Sequence, residues 1–328
     1  MKALAYLYFW IAQQRRSKGL YDATTLDYFK CACERSPKVT YHMAYARLQR
    51  DIHGNIDHKT LDILQQAAAL QVPNTTISNR LKQTLSEFSP PNMDVVKRSI
   101  LQNNGQSIKA VELDTINSSQ PAWRQELFEY LHSKSVAVVG NGTSLANTNM
   151  GQSIDSNTIV CRFNHFPEIG DVTNDVGHRT DIWITSPDVL NEKKILPNTL
   201  TWVIISGGDV RYTLQNWGGA INHLKHGRRI ITIPLEVWSS LVKQFQAPPS
   251  AGILWLHYLS THQHLNVTIH AYGFDKTDTN YQHYHIGSKS FKPSSRHAWG
   301  KEKEYLATLT QENKVTRHHG ITLGTFSR

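Results

Sequence analysis

Residues 136–139 form an unbroken apolar run, Val-Ala-Val-Val, that passes directly into Gly140-Asn141-Gly142-Thr143-Ser144. Four apolar residues without alternation read as a strand buried on both faces, and such strands belong to parallel sheets covered by helices. A glycine turn at the end of that strand lets backbone N–H groups approach a phosphate or nucleotide. The dinucleotide fingerprint G-x-G-x-x-G is broken, because Leu145 occupies the position of its last glycine. No clear ribose-binding acid follows a second strand, so a dinucleotide-dependent oxidoreductase is disfavoured.

Further strand candidates recur at 158–162, 181–185, 202–206, 230–234 and 267–272, with helical stretches at 250–261 and 301–312. The alternation predicts an α/β fold over residues 131–328: a Rossmann-like, mostly parallel sheet with helices on both faces. Ligands of such sheets bind at the carboxyl ends of the strands. Residues 1–105 differ in kind. Tyr41, Tyr45 and Leu48, then Leu61, Leu64 and Ala68, then Ile77, Leu81 and Leu85 recur at helical spacing. Asp22, Asp57 and Thr75 stand where N-caps belong, and Pro73 and Pro90-Pro91 punctuate. The reading is a small all-α domain of five or six short helices. Residues 106–130 read as a linker, with a short strand at 110–113 and a lead-in helix from Trp123.

Lys and Arg outnumber Asp and Glu by 35 to 26, a net charge of +9 that suits an anionic ligand and an anionic membrane surface or glycolipid. Only short basic clusters occur, at 13–16 and 225–229, which argues against nucleic acid as a partner. Cys31, Cys33 and Cys161 cannot build a disulfide framework, and the Cys31-x-Cys33 pair lacks the second pair of a metal site. No D-x-D triplet occurs, and no metal is expected. Residues 3–12 are apolar but too short to span a bilayer and lack a signal cleavage region. Their aromatic residues beside Arg15-Arg16 fit a core-packing first helix or an interfacial one.

The glycine turn continues through Gly151, Ile154-Asp155, Arg162-Phe163-Asn164, Pro167, Gly170 and Asp175-Val176-Gly177-His178-Arg179-Thr180. Downstream come Pro249-Ser250-Ala251-Gly252, then Ile269-His270-Ala271-Tyr272-Gly273-Phe274, then His283-Tyr284-His285, and finally His297 with Glu302 in the form H-x4-E. In order and kind these segments resemble the large, small, third and very small sialylmotifs of glycosyltransferase family 29, the sialyltransferases that use CMP-sugars. The resemblance spans roughly residues 130–328.

The resemblance implies inverting transfer of sialic acid, or a related ulosonic acid, from CMP-sialic acid to a hydroxyl of a glycan or glycolipid acceptor, without metal or other cofactor. It implies that Asn141, Gly142 and Ser144 approach the donor from the first loop and Asn164 from the end of the next strand. Asn164 equally fits an Asx-turn that stabilises its own loop. Ser250, Ala251 and Gly252 would hold the sugar carboxylate or cytidine at a helix N-terminus, with Ala251 in place of a common threonine. His283 and Tyr284 would meet the departing phosphate. His285 competes with His283, and Ile286 departs from the pattern. His297 would be the general base, with Glu302 orienting the helix around it. Members with a disulfide joining the large and small motifs carry cysteine where this chain has Asn266, so that bond is not expected here. The implied setting is a bacterial cytoplasmic enzyme, at the inner face of the inner membrane, acting in surface polysaccharide or lipooligosaccharide synthesis. CMP-Kdo is the alternative donor, and a non-catalytic nucleotide- or glycan-binding protein on the same fold is the alternative of another class.

Overall fold

The computed structural model describes residues 2–53, 56–70, 75–88, 107–166, 172–191, 200–207, 216–274, 294 and 296–318. Strands β1 (Ser135–Val139), β2 (Ile159–Phe163), β3 (Ile182–Thr185), β4 (Trp202–Ile205), β5 (Arg229–Thr232), β6 (Thr268–Tyr272) and β7 (Thr316–His318) form one sheet in the order β5-β4-β3-β2-β1-β6-β7. Every pairing is parallel. The period of two sends successive residues to opposite faces. Val136, Val138, Ile182, Ile184 and Ile204 join one core cluster, whereas Trp183, Val203 and Ile205 join a second, and Ala137 and Val139 a third. Both faces are therefore buried, as the unbroken apolar runs require.

From β1 the chain steps outward through β2 to β5, then returns to lay β6 and β7 on the other side of β1. The carboxyl ends of β1 and β6 thus flank the point where the strand order reverses, where α/β sheets open a crevice for ligands.

Among the described residues, the N-terminal region holds the helices α1 (Lys2–Ser17), α2 (Ala23–Arg35), α3 (Val39–His53), α4 (His58–Leu70) and α5 (Thr76–Phe88). The expected caps are in place. Asp22 Oδ1 accepts from Thr25 N at 2.7 Å, Asp57 Oδ1 from Thr60 N at 2.7 Å and Thr75 Oγ1 from Ser78 N at 3.0 Å. These helices share a core with the sheet, because Ala12, Tyr21, Phe29, Ala44, Leu48 and Ile52 belong to the same buried cluster as Val136 and Trp238.

The stretch read as linker and strand is helical. Residues 107–131 form one helix, α6 (Ser107–Leu131), that runs through Pro121. Leu113, Ile116, Leu127 and Leu131 are buried along it, and its polar residues close the open edge of β5. Gln120 Nε2 donates to Ile230 O at 2.7 Å, Gln120 Oε1 accepts from Thr232 N at 2.9 Å, and Arg124 Nη2 donates to Thr232 O at 3.0 Å. One glutamine amide supplies the donor and acceptor that a further strand would have offered.

The remaining helices are α7 (Gly151–Asp155), α8 (Thr173–Val176), α9 (Gly218–Lys225), α10 (Leu235–Phe245), α11 (Ala251–Thr261) and α12 (Trp299–Gln311). On α9, His223 is buried with its ring edge-on to Trp183, centroids 5.6 Å apart. Its Nδ1 lies 3.1 Å from Arg228 Nη1, which can only donate, so the imidazole accepts there. Burial, then the charge of Arg228, pushes the His223 pKa from 6.5 down to about 4. A depressed folded pKa means stability that is complete above pH 6.5 and lost as pH falls towards 4. Urea midpoints are expected to drop through that window, and to drop less steeply in His223→Gln. Identical slopes in the two proteins would place the acid sensitivity elsewhere.

Candidate active site

At the strand-order reversal the loops after β1 and β6 meet backbone to backbone. Gly140 N donates to Tyr272 O at 2.8 Å, and Gly142 N donates to Gly273 O at 3.1 Å. Gly273 has φ +70°, and a Cβ there would lie 2.8 Å from Gly140 O and 2.9 Å from Leu145 Cδ1. A Cβ on Gly140 would lie 2.6 Å from Gly273 O. Only glycine fits either position.

The chain then makes a 3-10 turn, Thr143–Leu145. Asn141 Nδ2 donates to Phe163 O at 3.2 Å and His165 O at 3.1 Å, tying the loop to the end of β2. Its Oδ1 remains the group able to accept from a ligand. Ser144 Oγ is buried with no hydrogen-bond partner among the described residues. Asn164 sits at φ +45°, a conformation asparagine tolerates. Its backbone N donates to Ile184 O at 2.9 Å and its carbonyl accepts from Trp183 Nε1 at 2.8 Å.

The acidic residues of this segment are scaffold. Asp175 accepts from the backbone N of Asn147, Thr148 and Asn149, each at 2.8 Å, which fixes the end of the donor loop. Asp155 accepts from His178 N at 2.9 Å and Arg179 N at 3.1 Å, beside Gly177, where a Cβ would strike its carboxylate. Asp181 accepts from Val160 N at 2.8 Å and pairs with Arg179 at 3.0 Å, while burial raises its pKa. Arg162 is buried and donates to Arg179 O and Val176 O, both at 2.7 Å; burial lowers its pKa to about 10.

The second half of the site lies at the start of α11. Ser250 is its N-cap, with Oγ accepting from Ile253 N at 3.4 Å. The hydroxyl proton goes to protein, not outward: Ser250 Oγ donates to Glu302 Oε2 at 2.6 Å, and Ser250 N donates to Glu302 Oε1 at 2.7 Å. Glu302 is 4% exposed and belongs to α12, so it clasps the two helices together. His257 Nδ1 and Tyr305 Oη, 2.6 Å apart, make a second tie. Ala251 and Gly252 form the first turn of α11. A Cβ on Gly252 would lie 2.7 Å from Phe274 Cε1, so this glycine admits the ring that follows β6. Ser250, Phe274, Trp299, Glu302 and Lys303 line a cleft here.

His297 precedes α12, and its Nδ1 lies 2.8 Å from Pro248 O. Its ring meets Trp299 edge-on, centroids 5.0 Å apart. His283 and Tyr284 lie outside the described residues. A contact that sequence reasoning missed backs His297. Gly19, φ +80°, ends the turn after α1, and a Cβ there would lie 2.1 Å from Arg296 O. Arg296 Nη2 donates to Tyr21 Oη at 2.7 Å, and Tyr21 N donates to Gln246 O at 2.9 Å. The N-terminal helices thus abut the residue next to His297. Nothing local to Gly19 or Tyr21 signals a contact some 275 residues away.

A separate cavity between α2, α3 and α4 is lined by Lys30, Cys33, His42, Tyr45, Asp57 and Thr60. Burial pushes the Cys33 thiol up to about 12, which makes it inert as nucleophile or ligand. No cluster of three or more His, Cys, Asp or Glu residues able to hold a metal occurs among the described residues.

The chain is an α/β protein with a parallel sheet whose strand order reverses between β1 and β6, the place where such folds bind ligands. Residues 73–211 match the family model described as glycosyltransferase family 29 (sialyltransferase). A structure described as a mammalian sialyltransferase is similar at 18% identity and a TM-score of 0.45, covering 82% of this chain and 87% of that one. A second, a mammalian sialyltransferase in complex with Gal-beta-1-3GalNAc-ortho-nitrophenol, is similar at 17% identity and a TM-score of 0.42, covering 82% and 89%. The matched segment is thus similar to the sialyltransferases of glycosyltransferase family 29.

Gly273 and Gly227 both have positive φ, but a Cβ at Gly227 would meet nothing within 4 Å. Gly227→Ala is therefore expected to cost about 1 kcal/mol, from backbone conformation alone. Gly273→Ala is expected to cost roughly 2–3 kcal/mol in urea unfolding, because the β1 and β6 turns must also separate. Equal costs would mean the contact between those turns contributes nothing.

Proposed function

We propose that this chain transfers sialic acid, or a related ulosonic acid, from its CMP-donor to a hydroxyl of a glycan acceptor, inverting the anomeric centre and needing no metal. His297 is the general base. The observation that carries this reading is its bond to Pro248 O. A carbonyl can only accept, so in the neutral ring Nδ1 holds the proton and Nε2 presents the lone pair. Nε2 takes the acceptor hydroxyl's proton as that oxygen bonds the anomeric carbon. The bond to the phosphate oxygen breaks and its electron pair leaves with CMP.

Donor recognition rests on the β1 loop and the start of α11. The buried Ser144 hydroxyl has a hydrogen bond to give to a ligand, and the glycine turns leave their backbone open to close approach. Glu302 already takes the Ser250 hydroxyl and places a carboxylate behind the N-terminus of α11. The ligand's negative charge is therefore assigned to the β1 loop and, by the family resemblance, to His283 and Tyr284. The cysteines Cys31, Cys33 and Cys161, free in the structure, fit a reducing compartment, and the reading places the enzyme on the cytoplasmic side in bacterial surface glycan synthesis.

Release of CMP from CMP-Neu5Ac and from CMP-Kdo, in EDTA, separates the donors. One donor is expected to react, and His297→Ala to lower kcat about 10²–10⁴-fold with CMP affinity unchanged. Loss of activity in EDTA, or undiminished turnover by His297→Ala, would overturn the mechanism. Failure of CMP to bind would overturn the donor itself.

A further inference from the structure

Helix α1 is packed with its small residues inward. Ala5 and Ala12 are fully buried, and Phe9 turns in to stack on Tyr41 with centroids 4.3 Å apart. The large apolar side chains point the other way: Tyr6 is 62% exposed, Trp10 50%, Leu7 47% and Leu4 43%. At 100° per residue these four fall within one arc of less than half the helix circumference, together with exposed Ala3. The helix packs on the core through its small face and leaves its large apolar face exposed.

We propose that this face of α1 docks the folded protein onto the surface of an anionic lipid bilayer. The occupant follows from the chemistry of the helix. Tyr and Trp favour the boundary between headgroups and acyl chains, where a polar tip stays wet and the ring is buried. Residues 2–18 contain no Asp or Glu, and exposed Lys2 and Lys18 stand near the two ends of the helix. The chain carries a net charge of +9, which an anionic surface complements. With 16 residues, α1 is too short to cross a bilayer, and no described helix is long and apolar enough to do so. A helix of this kind lies in the interface plane with its apolar face submerged. Its partner α2 and the Gly19 contact with Arg296 fix its orientation relative to the cleft. Docking would therefore hold the His297 side of the molecule at a set distance from the membrane, as a lipid-linked acceptor requires. The lipid-surface reading itself does not depend on the transfer chemistry.

The test is flotation of the full chain with phosphatidylcholine vesicles with and without phosphatidylglycerol, beside sedimentation of the protein alone. Wild type should float with phosphatidylglycerol vesicles and release them as salt rises. Leu7→Ser with Trp10→Ser should lower the partition coefficient at least about 10-fold, with an unchanged urea midpoint, because both side chains are exposed. Lys2→Glu with Lys18→Glu, which leaves the apolar face intact, should remove the preference for phosphatidylglycerol. Absence of flotation with either vesicle would overturn the proposal. So would self-association in sedimentation that the Leu7/Trp10 variant abolishes, since the face would then join two copies of the chain.

Discussion

The backbone contact between Gly140 and Gly273 is the constraint on which the rest of the site depends. β1 and β6 are parallel neighbours on either side of the strand-order reversal, and their turns meet without a side chain between them. From that contact the site can be followed outward. Phe274 continues the β6 turn and packs on Gly252; Gly252 follows the Ser250 cap; Ser250 is clasped by Glu302; and Glu302 sits in the first turn of the helix that His297 precedes. The β1 loop and His297, which share no sequence neighbourhood, are thereby held in one frame, as the proposed transfer between two bound substrates requires.

Carboxylates do most of the fastening. Asp155, Asp175, Asp181 and Glu302 each accept backbone N–H groups of another segment, at 2.7–3.1 Å. A buried carboxylate is costly unless it is fully hydrogen-bonded, and bonds from N–H to an ionised acceptor are among the stronger ones. The segment's acids therefore explain its shape. The pattern accounts for an otherwise puzzling mixture: a motif rich in charged residues whose charges are spent on turns.

Much of this was legible because short-range physics decided it. Short, largely apolar runs marked six of the strands, and Asp22, Asp57 and Thr75 marked helix starts by side-chain chemistry alone. The glycine turn after β1 was readable as a close backbone approach, and the approach the structure shows is to Gly273. What stayed hidden is held by distant partners. The polar run before Trp123 looked like a linker because the use of Gln120, pairing with β5 across 112 residues, lies outside any local window. Thr316–His318 pairs with β6 without any apolar run, so β7 gave no strand signal. Asn141 and Ser250 were expected to meet a ligand, but their side-chain donors serve the protein, which only their partners reveal.

The most direct measurement is a crystal structure of the chain soaked with CMP. The nucleotide should lie across the carboxyl ends of β1 and β6, with Ser144 Oγ hydrogen-bonded to it and His297 still bonded to Pro248 O. CMP in the cavity between α2, α3 and α4, with the β1 loop empty, would contradict the placement of the site.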